Sequence, residues 1–516
     1  MRGFSSKKLA STLLLLIGCS SFSAKADELS ISRSDYQQKL QGFWLGQTIA
    51  NWTGIVTEMD KIGGSGVAGK FYTREDWGTQ DLPNIGGSTF PRLSLTIDWV
   101  YRGPNEIWGS DDDTDIEYIY QHLLATHQTS LLTGEQIRDG WLTHIYDERN
   151  SPLKNTAGKG ENFLWVSNQR AHDLMLEGVV PPATSDPKLN EHYDMIDAQL
   201  TTEIFGLFAP GRPDAALKMA YLPIRTTARA EAALASEFYI VMHALASVVD
   251  PKLSRKQQLE WMSEQARGYL PDQSVSALMY DFVKSRYAAG IPWEQARDEV
   301  YQRYQVEEQD GYDITSRNLG CNGCVSASIN FAASLVSLFF GEGDWQETVK
   351  IAVLAGWDSD NPAATWGGLL GFMEGQEGIE QIFGREFSGR YNIHRTRTGF
   401  PVSNGVDNFV DMSATGLQII DRAVVEEMGG RIAADTWIIP AQGGSRPSRS
   451  PNKRGCVRLG FVQGDHGCSG ALLALIFLIL ERGACYAATT TWAGKNPGVS
   501  HGLWRHVIQR FLWPHR

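Results

Sequence analysis

Two stretches, "DYQQKLQGFWLGQTIANW" (35–52) and "ASEFYIVMHALASVV" (235–249), carry apolar residues at spacings of three and four. Between residues 27 and 440 the alternating pattern of a half-buried strand is scarce. That periodicity limits the body of the chain to helices packed on helices, so an all-α fold is expected. The starts and stops agree. Asp344 can cap "WQETVKIAVLAG" with Glu347 three residues on completing a capping box, and Gly356 can end it. The next helix is predicted from "DNPAATWGGLLGF", with Asn361 as its N-cap and Pro362 at its first helical position. Segments rich in Gly, Pro and Asp, such as "VVPPATSDPKLN" (179–190), read as connections.

At 516 residues the chain exceeds the usual size of one core. Its two ends differ from its body. Arg2, Lys7 and Lys8 precede the apolar run "LASTLLLLIG", which is too short to span a membrane and reads as an export signal. A signal peptide over 1–26 would end at "AKA". A lipobox ending at 18 would instead leave Cys19 for a lipid anchor, and Gly18 directly before it favours this cleavage. Either way an exported protein is expected, periplasmic or an outer-membrane lipoprotein. Residues 441–516 hold ten Lys plus Arg against two Asp plus Glu, whereas the whole chain carries −12, so this segment is a basic, disordered or non-native tail to a domain over 27–440. An acidic body without a basic face argues against nucleic acid as a partner. Cys321 and Cys324 stand as a lone C-x-x-C with no second pair or histidines at zinc spacing, which leaves a local disulfide or two buried thiols.

"GSDDDTDIEYIY" (109–120) raises the chemical question. Ile116, Ile119, Tyr120, Leu123 and His127 recur at helical spacing, so Asp111, Asp112 and Asp113 stand at a helix N-terminus, where the macrodipole offsets part of their repulsion. One aspartate suffices for a cap. Three, with Thr114, supply the hard oxygen ligands that Mg²⁺ or Mn²⁺ prefers. "AGWDSDNPAATWGGLLG" adds Asp358 and Asp360 between two predicted helices. Each cluster alone also reads as a turn or cap; together they point to a divalent-cation site.

"GFWLGQTIANWTGIVTE", "SDDDTDIEY", "LFAPGRPDAALKMA" and "AGWDSDNPAATWGGLLG" occur in the order and approximate spacing of the ADP-ribosylglycohydrolase family, which includes the dinitrogenase reductase-activating glycohydrolases, and the chain resembles that family over most of 38–372. The resemblance implies an all-α orthogonal helical bundle with a binuclear centre, two Mg²⁺ ions or Mn²⁺, that binds ADP-ribose and cleaves at the anomeric carbon of the distal ribose. It implies metal ligands at Asp111, Asp112, Asp113, Asp358, Asp360 and Asn361, catalytic roles for Glu58 and Asp113, and substrate contacts at Asn51, Thr53 and Trp357. The chain departs from the family's pattern where Asp111 replaces a hydroxyl residue, where Asn361 replaces Thr or Ser, and where Trp357 replaces a glycine. "IRTTARAEAALASEFY" lacks the histidine many members have before a helix. Most of Trp44, Trp52, Trp77, Trp108, Trp165 and Trp366 are assigned to the core, and Trp357 to the site.

The function expected is metal-dependent hydrolysis of an ADP-ribosyl or related glycosidic bond, on a small-molecule or protein-linked glycoside, by a monomer. The alternatives are an exported sugar- or nucleotide-binding protein that keeps the cage without turnover, and an envelope protein whose acidic clusters order loops around a cation.

Overall fold

Ser32 accepts a hydrogen bond from the backbone N–H of Asp35 at 3.2 Å and so starts the first helix, α1 (Arg33–Gly54). From Leu40 to Gly54 every residue of α1 is buried, the mark of a central helix with no solvent face. The computed structural model describes residues 28–440, apart from 66, 82–95, 155–157, 316 and 318–320. The expected leader, the Cys19 lipobox and the basic tail lie outside the described residues.

After α1 come α2 (Asp112–Thr126), α3 (Gly134–His144), α4 (Val166–Leu176), α5 (Ile204–Leu207), α6 (Pro213–Met219), α7 (Tyr221–Thr227) and α8 (Ala230–Leu245). The second half adds α9 (Arg255–Arg267), α10 (Val275–Ala288), α11 (Trp293–Val300), α12 (Ala327–Phe340), α13 (Trp345–Ala355), α14 (Asp360–Phe383) and α15 (Phe409–Glu426). The expected all-α class holds. Two small sheets accompany the helices. In one, β1 (Glu28–Ser32) pairs antiparallel with β6 (Thr436–Pro440), which pairs with β5 (Arg431–Ala433). In the other, β2 (Trp108–Gly109), β3 (Arg390–Asn392) and β4 (Val406–Asn408) lie side by side in that order.

The closest packing in the molecule that bears on the site is α1 against α14. A Cβ on Gly46 would sit 2.3 Å from the carbonyl oxygen of Gly367, and one on Gly42 2.3 Å from that of Gly371. The backbones therefore touch directly, which only residues without side chains permit. The same contact continues to the end of α1, where a Cβ on Gly54 would sit 2.3 Å from the Cα of Asp360. Sequence spacing that reads as mere helix tolerance for glycine is thus the device that brings the second acidic segment onto α1.

Local signals are borne out with adjustments. Asp344 caps α13 by accepting from Glu347 N at 2.8 Å, and Gly356, at φ 97°, ends it. The reciprocal half of the box is not made, because the Glu347 carboxylate is ion-paired with Arg74. Helix α14 begins two residues earlier than expected, with Ser359 rather than Asn361 at its N-cap. Asn361 is diverted because its side chain is engaged by Asp113 and Gln199. His127, expected on the packed stripe of α2, is its exposed C-cap residue. Cys321 and Cys324 form a disulfide, as one of the two local readings of that pair expects.

Candidate metal centre

Three segments deliver the carboxylates, and each is tied to a neighbour. Asp111 is the N-cap residue of α2, and the Thr114 hydroxyl accepts from its backbone N–H at 3.2 Å. The segment 391–397 grips this helix end: Tyr391 OH bonds Thr114 Oγ1 at 2.7 Å, Thr396 Oγ1 bonds Ser110 Oγ at 2.7 Å, and Arg397 forms a fully buried ion pair with Asp115 at 3.0 Å. Glu58 follows α1 and is held on both sides. Thr57 Oγ1 donates to Val353 O at 2.6 Å, and Met59 N donates to Trp357 O at 2.8 Å. The third segment, 358–361, is thereby locked to the second.

Two groups of ligand atoms result, Glu58 with Asp358 and Asp360, and Asp111 with Asp112 and Asp113, each within 4.8 Å of one another. Asn51, buried in the last turn of α1, joins them: its Nδ2 donates to Asp111 Oδ2 at 3.2 Å and to Asp360 Oδ2 at 3.3 Å. Asn361 Nδ2 donates to Asp113 Oδ1 at 3.3 Å and its Oδ1 accepts from Gln199 at 3.1 Å.

These acids are held at a cost. Burial, then the neighbouring carboxylates, push Glu58, Asp112, Asp113 and Asp360 well above the ordinary carboxylate range. Asp358 is pushed up to about 6 by burial. Among the described residues the ion pair to this set is that of Arg395 with Asp111, at 3.0 Å. Asp360 Oδ1 and Asn51 Oδ1 are buried with no hydrogen-bond partner. Oxygen ligands in excess of donors, with orphaned acceptors among them, are what a hard divalent cation satisfies, so the residues fit such an ion. The extra charge of Asp111, where the family has a hydroxyl, is matched by Arg395.

One helical turn beneath, the same three helices converge again. Glu117 on α2 accepts from Gln47 Nε2 on α1 at 2.8 Å and from Ile204 N at 2.7 Å. Glu203 accepts from Thr365 on α14 at 2.7 Å. Glu117 lies four residues after Asp113, Thr365 four after Asn361, and Gln47 four before Asn51, so each faces the same way as a site residue. Burial, then the neighbouring Glu203 carboxyl, raises Glu117 well above its ordinary range.

A cavity of about 940 Å³, part of it open to solvent, meets the acids at Glu58, Asp111, Asp112 and Asp358. Its other walls are mostly apolar, with Phe163, Trp165, Val166, Ile196, Leu200 and Val325 among them. Phe163 and Val166 stand at φ 53° and 34°, a strained arrangement for side chains with Cβ atoms. Arg397 holds it from one side through Phe163 O at 2.9 Å. Asp197 holds it from the other, accepting from Ser167 N at 3.2 Å and Asn168 N at 3.1 Å.

The structure thus brings together Glu58, Asp111, Asp112, Asp113, Asp358, Asp360, Asn361 and Asn51. Asp113 is buried behind the cavity rather than on its wall, which suits a ligand better than a proton-transfer group. Thr53 and Trp357 do not reach the cavity. Thr53 Oγ1 donates to Ile49 O at 2.7 Å within α1 and accepts from Val100 N at 3.2 Å. Trp357 is fully buried against Phe71, its indole N–H on Gln305 at 2.7 Å. Trp165, one of the tryptophans weighed for the core, is the one that lines the cavity. Asp197, Arg395, Gln199 and the Glu117–Glu203 pair were not anticipated. Nothing local marks them, since their partners lie far along the chain.

The ADP-ribosylglycohydrolase family model matches residues 32–395. A search of curated proteins returns no match. Among solved structures the chain is similar to one described as an "ADP-ribosylglycohydrolase-related protein complex", at 16% identity over 76% of this chain and 99% of that chain, with a TM-score of 0.42. The matched span takes in both acidic groups, Glu58 and the gripping segment as far as Arg395, and the chain belongs to the ADP-ribosylglycohydrolase family.

Proposed function

We propose that this protein hydrolyses a glycosidic bond of the ADP-ribosyl or related class, in a reaction that depends on two divalent cations, Mg²⁺ or Mn²⁺. The observation that carries the reading is the pair of three-carboxylate groups, of which Glu58, Asp111, Asp112 and Asp358 line a cavity open to solvent. Asp111, Asp112, Asp113, Asp358, Asp360 and Asn361 would hold the ions, which when bound supply Lewis-acid polarisation of sugar and water oxygens. Glu58 lines the cavity together with Asp358 and Asp112 and is the group we assign to take a proton from an attacking water once the cations are bound. Asn51 keeps the two groups in register. Arg397 and Asp197 hold the wall against which the aglycone rests. The leader over 1–26 supports action outside the cytoplasm.

The test is a turnover screen of cation-loaded and chelator-stripped protein against ADP-ribosyl proteins, O-acetyl-ADP-ribose, nucleosides and oligosaccharides. Hydrolysis that appears with cation and is lost in Glu58→Gln supports the reading. Cation binding without turnover of any glycoside would favour the binding-protein alternative.

A further inference from the structure

We infer that Asn330 is a positioning residue of the cation centre: its side chain links the turn at 321–326 to Asp358 and fixes where that ligand's backbone stands. The inference rests on the cation-dependent reading of the site and names a residue on which that site depends.

Asn330 lies on α12, a helix buried along almost its whole length and otherwise built of Ala, Ser and large apolar residues. A carboxamide with no exposure is tolerated there only if its polar atoms are met. They are. Nδ2 donates to Cys324 O at 2.8 Å and to Ser326 O at 2.9 Å, while Oδ1 accepts from the backbone N–H of Asp358 at 3.1 Å. Turning the amide over would set its oxygen against two carbonyls, so the partners fix its orientation. The needs of the helix do not explain this choice of residue. Ser334 and Ser337 on the same helix return their hydroxyls to Phe331 O at 2.8 Å and Ser334 O at 2.9 Å. What the carboxamide adds to such a bond is an acceptor that reaches Asp358.

Both ends of the link matter to the site. Asp358 falls between α13 and α14, in a turn where Gly356 and Trp357 take φ 97° and 57°. Trp357 is tied through its main chain, its N–H to Lys61 O at 2.7 Å and its carbonyl to Met59 N at 2.8 Å. Among the described residues the Asn330 bond is the one that takes up the N–H of Asp358 itself. At the other end, Cys324 O and Ser326 O belong to a turn closed by the Cys321–Cys324 disulfide and by Ser326 N on Gly323 O at 2.9 Å. Val325 stands between them on the cavity wall, and its carbonyl accepts from Ile196 N at 3.0 Å. One amide therefore references a ligand of the second carboxylate group to a cross-linked turn that also walls the cavity. Without it the Asp358 N–H loses its partner, and the carboxylate can swing away from Glu58 and Asp360.

The experiment is calorimetric titration of Mn²⁺ into the full chain, unaltered, as Asn330→Ser, as Asp358→Asn and as the double variant, with the paramagnetic resonance spectrum of bound Mn²⁺ recorded at saturation. Asn330→Ser keeps a hydroxyl for the helix carbonyl and gives up the reach to Asp358. It should lower Mn²⁺ affinity by about tenfold or more, the usual cost of removing a ligand's hydrogen-bonding partner, and alter the spectrum. In the Asp358→Asn chain the same change should cost at most about twofold, because the group it positions is gone. A merely structural Asn330 would lower affinity by the same factor in both. Should Asn330→Ser fail to fold, Cys321→Ser with Cys324→Ser, which frees the turn that anchors the amide, takes its place under the same criteria. Unaltered affinity, an unchanged spectrum or an equal loss in both backgrounds overturns the inference and leaves the cation reading standing. An unaltered protein that binds no Mn²⁺ overturns both.

Discussion

Stripping divalent cations should make this protein's stability depend on pH in a direction opposite to ordinary acid denaturation. In the cation-free fold Asp358 is held at about 6 against 3.8 for the free side chain, and Glu58, Asp112, Asp113 and Asp360 are raised further. A carboxyl raised on folding binds its proton more tightly in the native state. Its stability contribution is complete below the unfolded value and is lost as pH rises through the folded one. Asp358 alone, about two pH units displaced, accounts for up to about 3 kcal/mol lost between pH ~4 and pH ~7. Bound cation removes the penalty, because the ionised carboxylates then have partners, and adds about 2.7 kcal/mol at a hundredfold excess over its dissociation constant. Urea unfolding across pH, with chelator and with Mg²⁺ or Mn²⁺, measures both. Buried His243, pushed down to about 4, and Glu203, pushed up to about 7, titrate in the same window but do not touch the site, so the quantity that matters is the difference between the two curves. That difference should widen with rising pH. A difference that is absent, or constant across pH, refutes the reasoning and with it the reading of the acids as ligands. A pure capping role for Asp111 predicts instead a loss of about 0.5–2 kcal/mol in Asp111→Ala whether or not cation is present.

Gly46→Ala should lower the melting temperature, by about 1–3 kcal/mol of stability, because its Cβ would meet Gly367 O at 2.3 Å; in an uncrowded helix the same change would stabilise by about 1 kcal/mol, so the sign tests the packing. Glu117→Gln should be nearly neutral, since the amide can donate to Glu203 while Gln47 turns over, whereas Glu117→Ala should cost about 1–3 kcal/mol by leaving Glu203 and Gln47 unpaired, as chemical denaturation will show. Arg397→Met should cost about 3–5 kcal/mol by stranding Asp115, and Asp115→Asn in the same chain should recover part of it. A chain ending at Pro440 should keep its melting temperature and its cation affinity, because 441–516 shares neither the composition nor the motifs of the body.

The parts of the site that were legible in the sequence are those where a local rule is visibly broken. Three adjacent aspartates repel, and a helix cap explains only one of them, so Asp111 to Asp113 demanded a partner before any fold was known. Asp358 and Asp360 followed by the same logic, and Glu58 through the resemblance alone. The failures are equally local in origin. Asn361-Pro362 reads as a cap and first helical residue, yet a long-range bond to Asp113 outweighs the capping preference. Thr53 is expected as a substrate contact, but inside α1 its hydroxyl returns to Ile49. Trp357 takes φ 57°, a conformation glycine adopts without strain, and that turn swings its ring into the core while its backbone carbonyl anchors the Glu58 segment. A residue can therefore support a site with its main chain while its side chain faces away, which periodicity does not reveal. Asp197 and Trp165 stayed hidden because the wall they form exists only once α4 is packed.

The glycine contacts and the acidic site belong to one design. Gathering six carboxylates opposes folding in the absence of cation, and the opposition acts across the α1–α14 seam, since Glu58 and Asn51 come with one helix and Asp358 and Asp360 with the other. A seam sealed by flexible side chains could yield by an ångström and relieve the repulsion, at the expense of ligand geometry. Backbone-to-backbone contact at Gly42, Gly46 and Gly54 leaves no side chain to rearrange, so repulsion cannot be relieved by sliding and must be met by binding an ion. On the α2 side the same end is served by different means: the buried Arg397–Asp115 pair and the Thr114–Tyr391 bond pin the helix start that carries Asp111 to Asp113. Glu117 and Glu203, through their bonds to Gln47 on α1 and Thr365 on α14, tie the two sides one turn below. Rigidity at three independent points explains how so many like charges stay within ligand distance of each other, and why the chain carries its glycines and buried polar pairs on the very faces that hold the acids.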